Sequence, residues 1–70
     1  MSRAIKVKLS TGEVVEGRRA KVKDMKLVNH IKDDMEKEIA LIVNLTQKTE
    51  AEIDEMDIDD YGKLQKALLL

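Results

Sequence analysis

Ala4-Ile5-Lys6-Val7-Lys8-Leu9-Ser10-Thr11-Gly12-Glu13-Val14-Val15 is the stretch that decides the fold class of this 70-residue chain. From Ala4 to Leu9 apolar Ile5, Val7 and Leu9 alternate with charged Lys6 and Lys8, the period of a strand with one face buried. Ser10-Thr11-Gly12-Glu13 supplies turn chemistry, with Gly12 free to take a positive φ, and Val14-Val15 opens a second β-favourable run to about Ala20. The pattern predicts a hairpin over residues 4–21. Gly17, inside the second strand, is open to three readings: a bulge, a close approach of another backbone, or a plain solvent-side glycine.

Beyond the hairpin the period changes. Asp24 is a candidate helix N-cap, and Val28, Ile31, Met35, Ile39 and Ile42 follow at spacings of 3 and 4, one stripe of a helix over about 24–46. Lys32, Asp33, Glu36 and Lys37 occupy its other face, and the polar stretch from Asn29 to Lys37 leaves room for a bend. Ile39-Ala40-Leu41-Ile42-Val43 is apolar nearly all round, which predicts cover on more than one side. Thr49 and Glu52 have the spacing of a capping box, opening a short helix over 50–56. Asp57 and Asp60 are candidate caps for a last helix over 58–69, with Ile58, Tyr61, Leu64 and Leu68 on its inner face and Lys63 and Lys66 toward its end. The expectation is a single α+β domain over 1–70: a hairpin, a long amphipathic helix and one or two short C-terminal helices.

A chain this small needs a staple or a partner to secure its core. It has no Cys and a single His, His30, so neither a disulfide nor an ordinary metal site is expected. Tyr61 is the lone aromatic, and the remaining apolar residues are aliphatic with Met25, Met35 and Met56 interspersed. Readers of single-stranded nucleic acid stack bases on aromatic platforms, which this chain lacks. No stretch approaches the roughly 20 apolar residues of a membrane span, and the first residues carry no apolar signal segment, so a soluble, intracellular protein is expected.

Charge is balanced in sum and divided along the chain. Residues 1–26 hold eight basic residues against three acidic ones, a net of +5, and residues 27–70 hold five against eleven, a net of −6. Such a distribution suits either a polyanion at the basic end or head-to-tail pairing of copies.

The inventory for catalysis is thin. The nucleophiles are Ser2, Ser10 and a few Thr, and His30, at the margin of the helix stripe, reads as a partly exposed helix residue. A calcium loop begun at Asp57 would place Tyr61 at its fifth position and Leu68 at its twelfth, where the bidentate Glu belongs. Gly12 is isolated, so no phosphate-cradling loop exists. No catalytic residue, cofactor or metal ligand is expected. The competing reading is a small DNA-binding regulator in which Lys6, Lys8, Arg18, Arg19 and Lys21 line an exposed sheet face. No helix carries a basic cluster suited to groove recognition, so nucleic acid is the weaker expectation.

Three segments, taken in order, resemble one known family. They are Lys8-Leu9-Ser10-Thr11-Gly12, Ala20-Lys21-Val22-Lys23-Asp24 and Ile39-Ala40-Leu41-Ile42-Val43-Asn44-Leu45-Thr46. A fourth and more specific one runs from Glu50 to Tyr61, a capped acidic turn leading to an Asp-Tyr step. The whole is similar to the phage tail assembly chaperones, with Val22 standing where the commoner pattern has Pro. The resemblance implies a non-catalytic role in the host bacterial cytoplasm, binding the tape-measure protein during tail assembly and left out of the finished virion. It also implies a homo-oligomer, or a longer frameshifted form of the same chain, as a further partner. The apolar residues expected at the contact surface are Ile39, Leu41, Ile42, Val43, Leu68, Leu69 and Leu70, with ordinary core burial as the competing reading.

Overall fold

A computed structural model describes residues 4–70. The described residues form two strands, β1 (Ile5–Lys8) and β2 (Val14–Gly17), and four helices, α1 (Val22–Val28), α2 (Asp34–Thr46), α3 (Glu50–Asp54) and α4 (Ile58–Leu68). This is the α+β class the alternation and helical spacing predict, with the hairpin first.

The strands pair antiparallel with Ile5 opposite Gly17, Lys6 opposite Glu16, Val7 opposite Val15 and Lys8 opposite Val14. That register puts Val7 and Val15 together on the inner face, and both are buried with Leu9. The turn closes through Leu9 N–H to the Glu13 carbonyl at 2.8 Å and Gly12 N–H to the Leu9 carbonyl at 3.0 Å. Gly12 sits at φ +93°, where a side chain would be strained.

The helices cover one face of the hairpin, α2 against β2 and α4 against β1. Leu41, Ile42 and Leu45 from α2, Ile53 from α3, and Tyr61, Leu64 and Leu68 from α4 complete the core. Gly17 makes the close approach that was one of its three readings. A Cβ there would stand 3.1 Å from the Leu45 carbonyl oxygen and 3.2 Å from Leu68 Cδ1, so glycine lets β2 meet the end of α2.

The single helix expected over 24–46 is two helices. α1 ends at Val28, and Asp33 caps α2 by accepting the Glu36 N–H at 2.9 Å. The break has a packing cause. Asp24 is hydrogen-bonded by Asn44, near the far end of α2, at 3.1 Å. A continuous helix would hold these two residues roughly 30 Å apart at 1.5 Å per residue. The chain therefore reverses through Asn29–Asp33, and α1 lies back along α2. The stripe read across this region is divided with it: Val28 and Ile42 are buried, whereas Met35 is exposed.

The capping box at Thr49 forms, with Glu52 N–H donating to Thr49 Oγ1 at 3.2 Å and Thr49 N–H donating to Glu52 Oε1 at 3.0 Å. Asp57 stands at the N-cap of α4 without a side-chain capping bond, and Ile58, expected on the inner face, is 81% exposed.

Candidate protein-docking surface

The surface is best built from α2 outward, because its first half separates two apolar grooves. Asp34, Lys37, Glu38 and Leu41 follow helical spacing along one flank. With Ala20, Met25 of α1 and Leu69 they line a groove of about 270 Å³. Met35 and Ile39, roughly a third of a turn around the same helix, line the second groove with Ile53, Met56, Ile58 and Tyr61. It too is about 270 Å³, and Asp54 is the single charged residue in its lining.

Glu38 anchors the wall between them. Tyr61 Oη donates to its Oε1 at 2.7 Å, and Gln65 Nε2 donates to the same oxygen. These bonds tie α2 to α4, so both grooves have a fixed backbone frame. Burial, and then the hydrogen bond to Glu38, push the Tyr61 phenol well above its ordinary range.

Two carboxylates lock the hairpin to the helices. Asp24, expected as an N-cap, is instead a buried hub at the third position of α1. It takes both nitrogens of the Arg18 fork at 2.8 and 2.7 Å, the Lys21 N–H at 2.8 Å and the Asn44 amide. The Arg18 hydrogen bonds hold its carboxyl well below the usual carboxylate range, outweighing burial. Asp60, likewise expected as a cap, accepts Ser10 N–H at 2.9 Å and Ser10 Oγ at 2.8 Å across the core. Those bonds lower its pKa too.

The expected contact residues are dispersed by this arrangement. Leu41, Ile42 and Leu68 are buried in the chain's own core, Leu41 also reaching the floor of the Met25 groove. Val43 is half-buried against that core. Ile39 lines the Met35 groove, Leu69 lines the Met25 groove, and Leu70 is 76% exposed beyond it. Met25, Met35 and Ile58 are exposed as well, as are Val14, Val22 and Leu27 away from these two grooves' linings. The sequence marked Met35 and Ile58 as core because they share spacing with buried residues. Only the course of the neighbouring elements leaves them uncovered.

The expected basic face does not assemble. β2 ends at Gly17, so Arg18, Arg19 and Lys21 lie beyond the sheet. Arg18 is taken up by Asp24, and an Arg19 guanidinium nitrogen donates to the Leu70 carbonyl at 2.6 Å. Lys6 and Lys8 do project from the outer face, but opposite Glu16 and Val14, with Lys6 3.9 Å from the Glu16 carboxylate. Among the described residues the outer sheet face is thus of mixed charge, with Lys6 and Lys8 as its basic side chains.

A larger groove, about 460 Å³, lies between the hairpin turn and α3, lined by Glu13, Glu52, Glu55 and Asp57 among others. Its carboxylates are partly engaged: Glu52 in the Thr49 cap, Glu13 with Lys48. No group of three or more potential metal-ligating side chains occurs among the described residues. No helix among them is long and apolar enough to cross a membrane.

No curated protein and no solved structure matches the chain. A family model does, over residues 2–69, and its description reads "Phage tail assembly chaperone proteins, E, or 41 or 14". That span takes in the hairpin, both carboxylate locks and both grooves, and the chain belongs to the phage tail assembly chaperone family.

Proposed function

We propose that this chaperone binds the tape-measure protein while the tail is assembled, without catalysing a reaction, and acts in the host cytoplasm without entering the virion. The observation that carries the reading is the Met25–Leu41–Leu69 groove, open and apolar on a protein whose family works in tail assembly. A long helical partner presents an apolar stripe whose side chains vary along its length. Unbranched Met25 and the terminal Leu69 and Leu70 can repack against such variation better than a groove of rigid rings. Lys37, with Asp34 and Glu38, places both charge signs at the rim, which suits a mixed helical surface.

The test is co-expression of the tagged chain with the tape-measure protein of the same phage, followed by capture and quantification of both. The wild type should retain the tape-measure protein, and the Leu69→Ser, Leu70→Ser double variant should retain several-fold less while keeping its helical circular dichroism. Failure of the wild type to retain the tape-measure protein would overturn the proposal. Equal retention by the double variant would remove this groove from it.

A further inference from the structure

We propose that the groove between the hairpin turn and α3 is a second docking site, which takes a lysine or arginine side chain from a segment of a partner protein. It shares no lining residue with the Met25–Leu69 groove, so the inference does not depend on what occupies that one.

The chain's own bonds fix the walls of this groove. Ser10 donates its N–H and its hydroxyl to Asp60 at 2.9 and 2.8 Å, which fastens the hairpin turn to the start of α4. The Thr49–Glu52 box fixes the start of α3, which contributes Ala51, Glu52 and Glu55 to the lining. Leu9, Ala51 and Met56 make part of that lining apolar. The volume, about 460 Å³, falls in the range of roughly 300–1,000 Å³ typical of small-ligand sites, so it admits one or two side chains of a partner and not a whole helix.

Every ionisable residue in the lining is an acid: Glu13, Glu52, Glu55, Asp57 and Asp60. Three of them already hold lysines of this chain. Lys48 reaches Glu13 and lies 3.5 Å from Glu52, and Lys63 lies 3.5 Å from Asp60. The rim thus shows within the molecule which chemistry it accepts, an ammonium set against carboxylates. Glu55 and Asp57 are exposed and form no ion pair among the described residues.

Two open carboxylates beside an apolar lining fit a cation carried on an apolar stem. Lysine and arginine have that form: the methylene stem lies along apolar surface while the charged head stays in the wet rim. A metal ion would gain nothing from Leu9, Ala51 and Met56, and no group of three or more potential metal-ligating side chains occurs among the described residues. The contact is weak by itself and weakens with salt, because exposed charges are screened. One molecule can then hold two protein segments at once, and linking two weak contacts raises the overall affinity where geometry lets both engage.

The test is a nuclear magnetic resonance titration of the purified, isotopically labelled chain, with no tape-measure protein present, by a short capped peptide that alternates leucine with lysine. Amide signals of Thr11, Glu13, Ala51 and Glu55 should shift while those of Met25 and Leu69 stay in place, and affinity should fall several-fold from low to moderate salt. The same peptide with glutamate for lysine should leave the spectrum unchanged. Glu55→Gln combined with Asp57→Asn alters exposed side chains only, so the double variant should keep the dispersed spectrum of the wild type and bind the lysine peptide several-fold more weakly. No binding, equal binding by the double variant, or shifts confined to the Met25 groove would each overturn the proposal. So would equal or tighter binding of spermidine, which would assign the rim to a free polyamine, or the same shifts on concentrating the chain alone, which would assign it to a second copy.

Discussion

The Arg18 guanidinium grips the Asp24 carboxylate with two nitrogens, at 2.8 and 2.7 Å, where the chain leaves the hairpin and enters its first helix. Asn44 bonds the same carboxylate from α2. One buried side chain therefore joins the exit of β2, the start of α1 and the far end of α2. Removing a single partner from such a pair leaves the other charge without compensation.

Asp24→Ala should accordingly destabilise the fold by roughly 3 kcal/mol, read as a fall in the urea midpoint. Arg18→Lys should recover only part of the wild-type stability, since an ammonium cannot reproduce the two-nitrogen fork.

Stability should fall in acid. The carboxyls of Asp24 and Asp60 are both lowered in the folded protein, the first by Arg18 and the second by Ser10. In the unfolded chain they take protons sooner, so their contribution is present above the ordinary carboxylate range and is lost as pH drops from about 5 through the folded values. Thermal melts in a pH series should show Tm declining through this window. Asp60→Asn should flatten the decline, having no carboxylate left to protonate there.

The alkaline limb has the opposite sign. Tyr61 is raised above its ordinary value of 10.0 by burial and by Glu38, so the stability it lends is present below about pH 10 and is withdrawn as pH rises beyond it. Tyr61 is the only aromatic residue, and tyrosinate absorbance reports it alone. Absorbance and helical circular dichroism should change together on alkaline titration. In Tyr61→Phe the dichroism change should move to higher pH, with the remaining loss belonging to Lys48, whose pKa its contacts with Glu13 raise.

Gly17→Ala should cost about 1–2 kcal/mol from overpacking. Of the three atoms a new Cβ would crowd, Leu68 Cδ1 and Thr46 Cγ2 can turn aside, but the Leu45 carbonyl belongs to the helix backbone. A lower urea midpoint with an unchanged slope would be the expected observation.

Two residues of α4 with the same apolar character should behave differently. Leu64 is fully buried and Ile58 is 81% exposed, so Leu64→Ala should cost about 3 kcal/mol and Ile58→Ala less than about 0.5 kcal/mol. Chemical denaturation of both variants checks the contrast.

The features legible in the sequence were those whose cause is local. Alternation from Ile5 to Leu9 marks a strand because successive side chains point to opposite faces. The turn at Gly12 and the Thr49–Glu52 box need only their own few residues to close their hydrogen bonds. The misreadings share one origin. Val28 to Ile42 has helical spacing throughout, and nothing local to it reveals that Asp24 is drawn back to Asn44. Asp24 and Asp60 look like caps because Asp at a helix start usually is one. The partners that tie them to other elements, Arg18 and Asn44 for Asp24 and Ser10 for Asp60, lie 6 to 50 residues away in sequence.

The docking surface was the least legible. Helical periodicity states which residues share a face, and Ile58 does lie on the same helix as Leu64 and Leu68. Whether a shared face is covered depends on how far the neighbouring elements reach, and α3 and α2 leave Met35 and Ile58 open. Residue order alone thus determined the α+β class, the hairpin, the Thr49–Glu52 capping box and the division of charge. Tertiary structure decided the reversal at Asn29–Asp33, the consumption of Arg18 by Asp24, and which apolar residues face water. Those outcomes depend on contacts between residues distant along the chain, whose meeting is set by packing and not by any local preference.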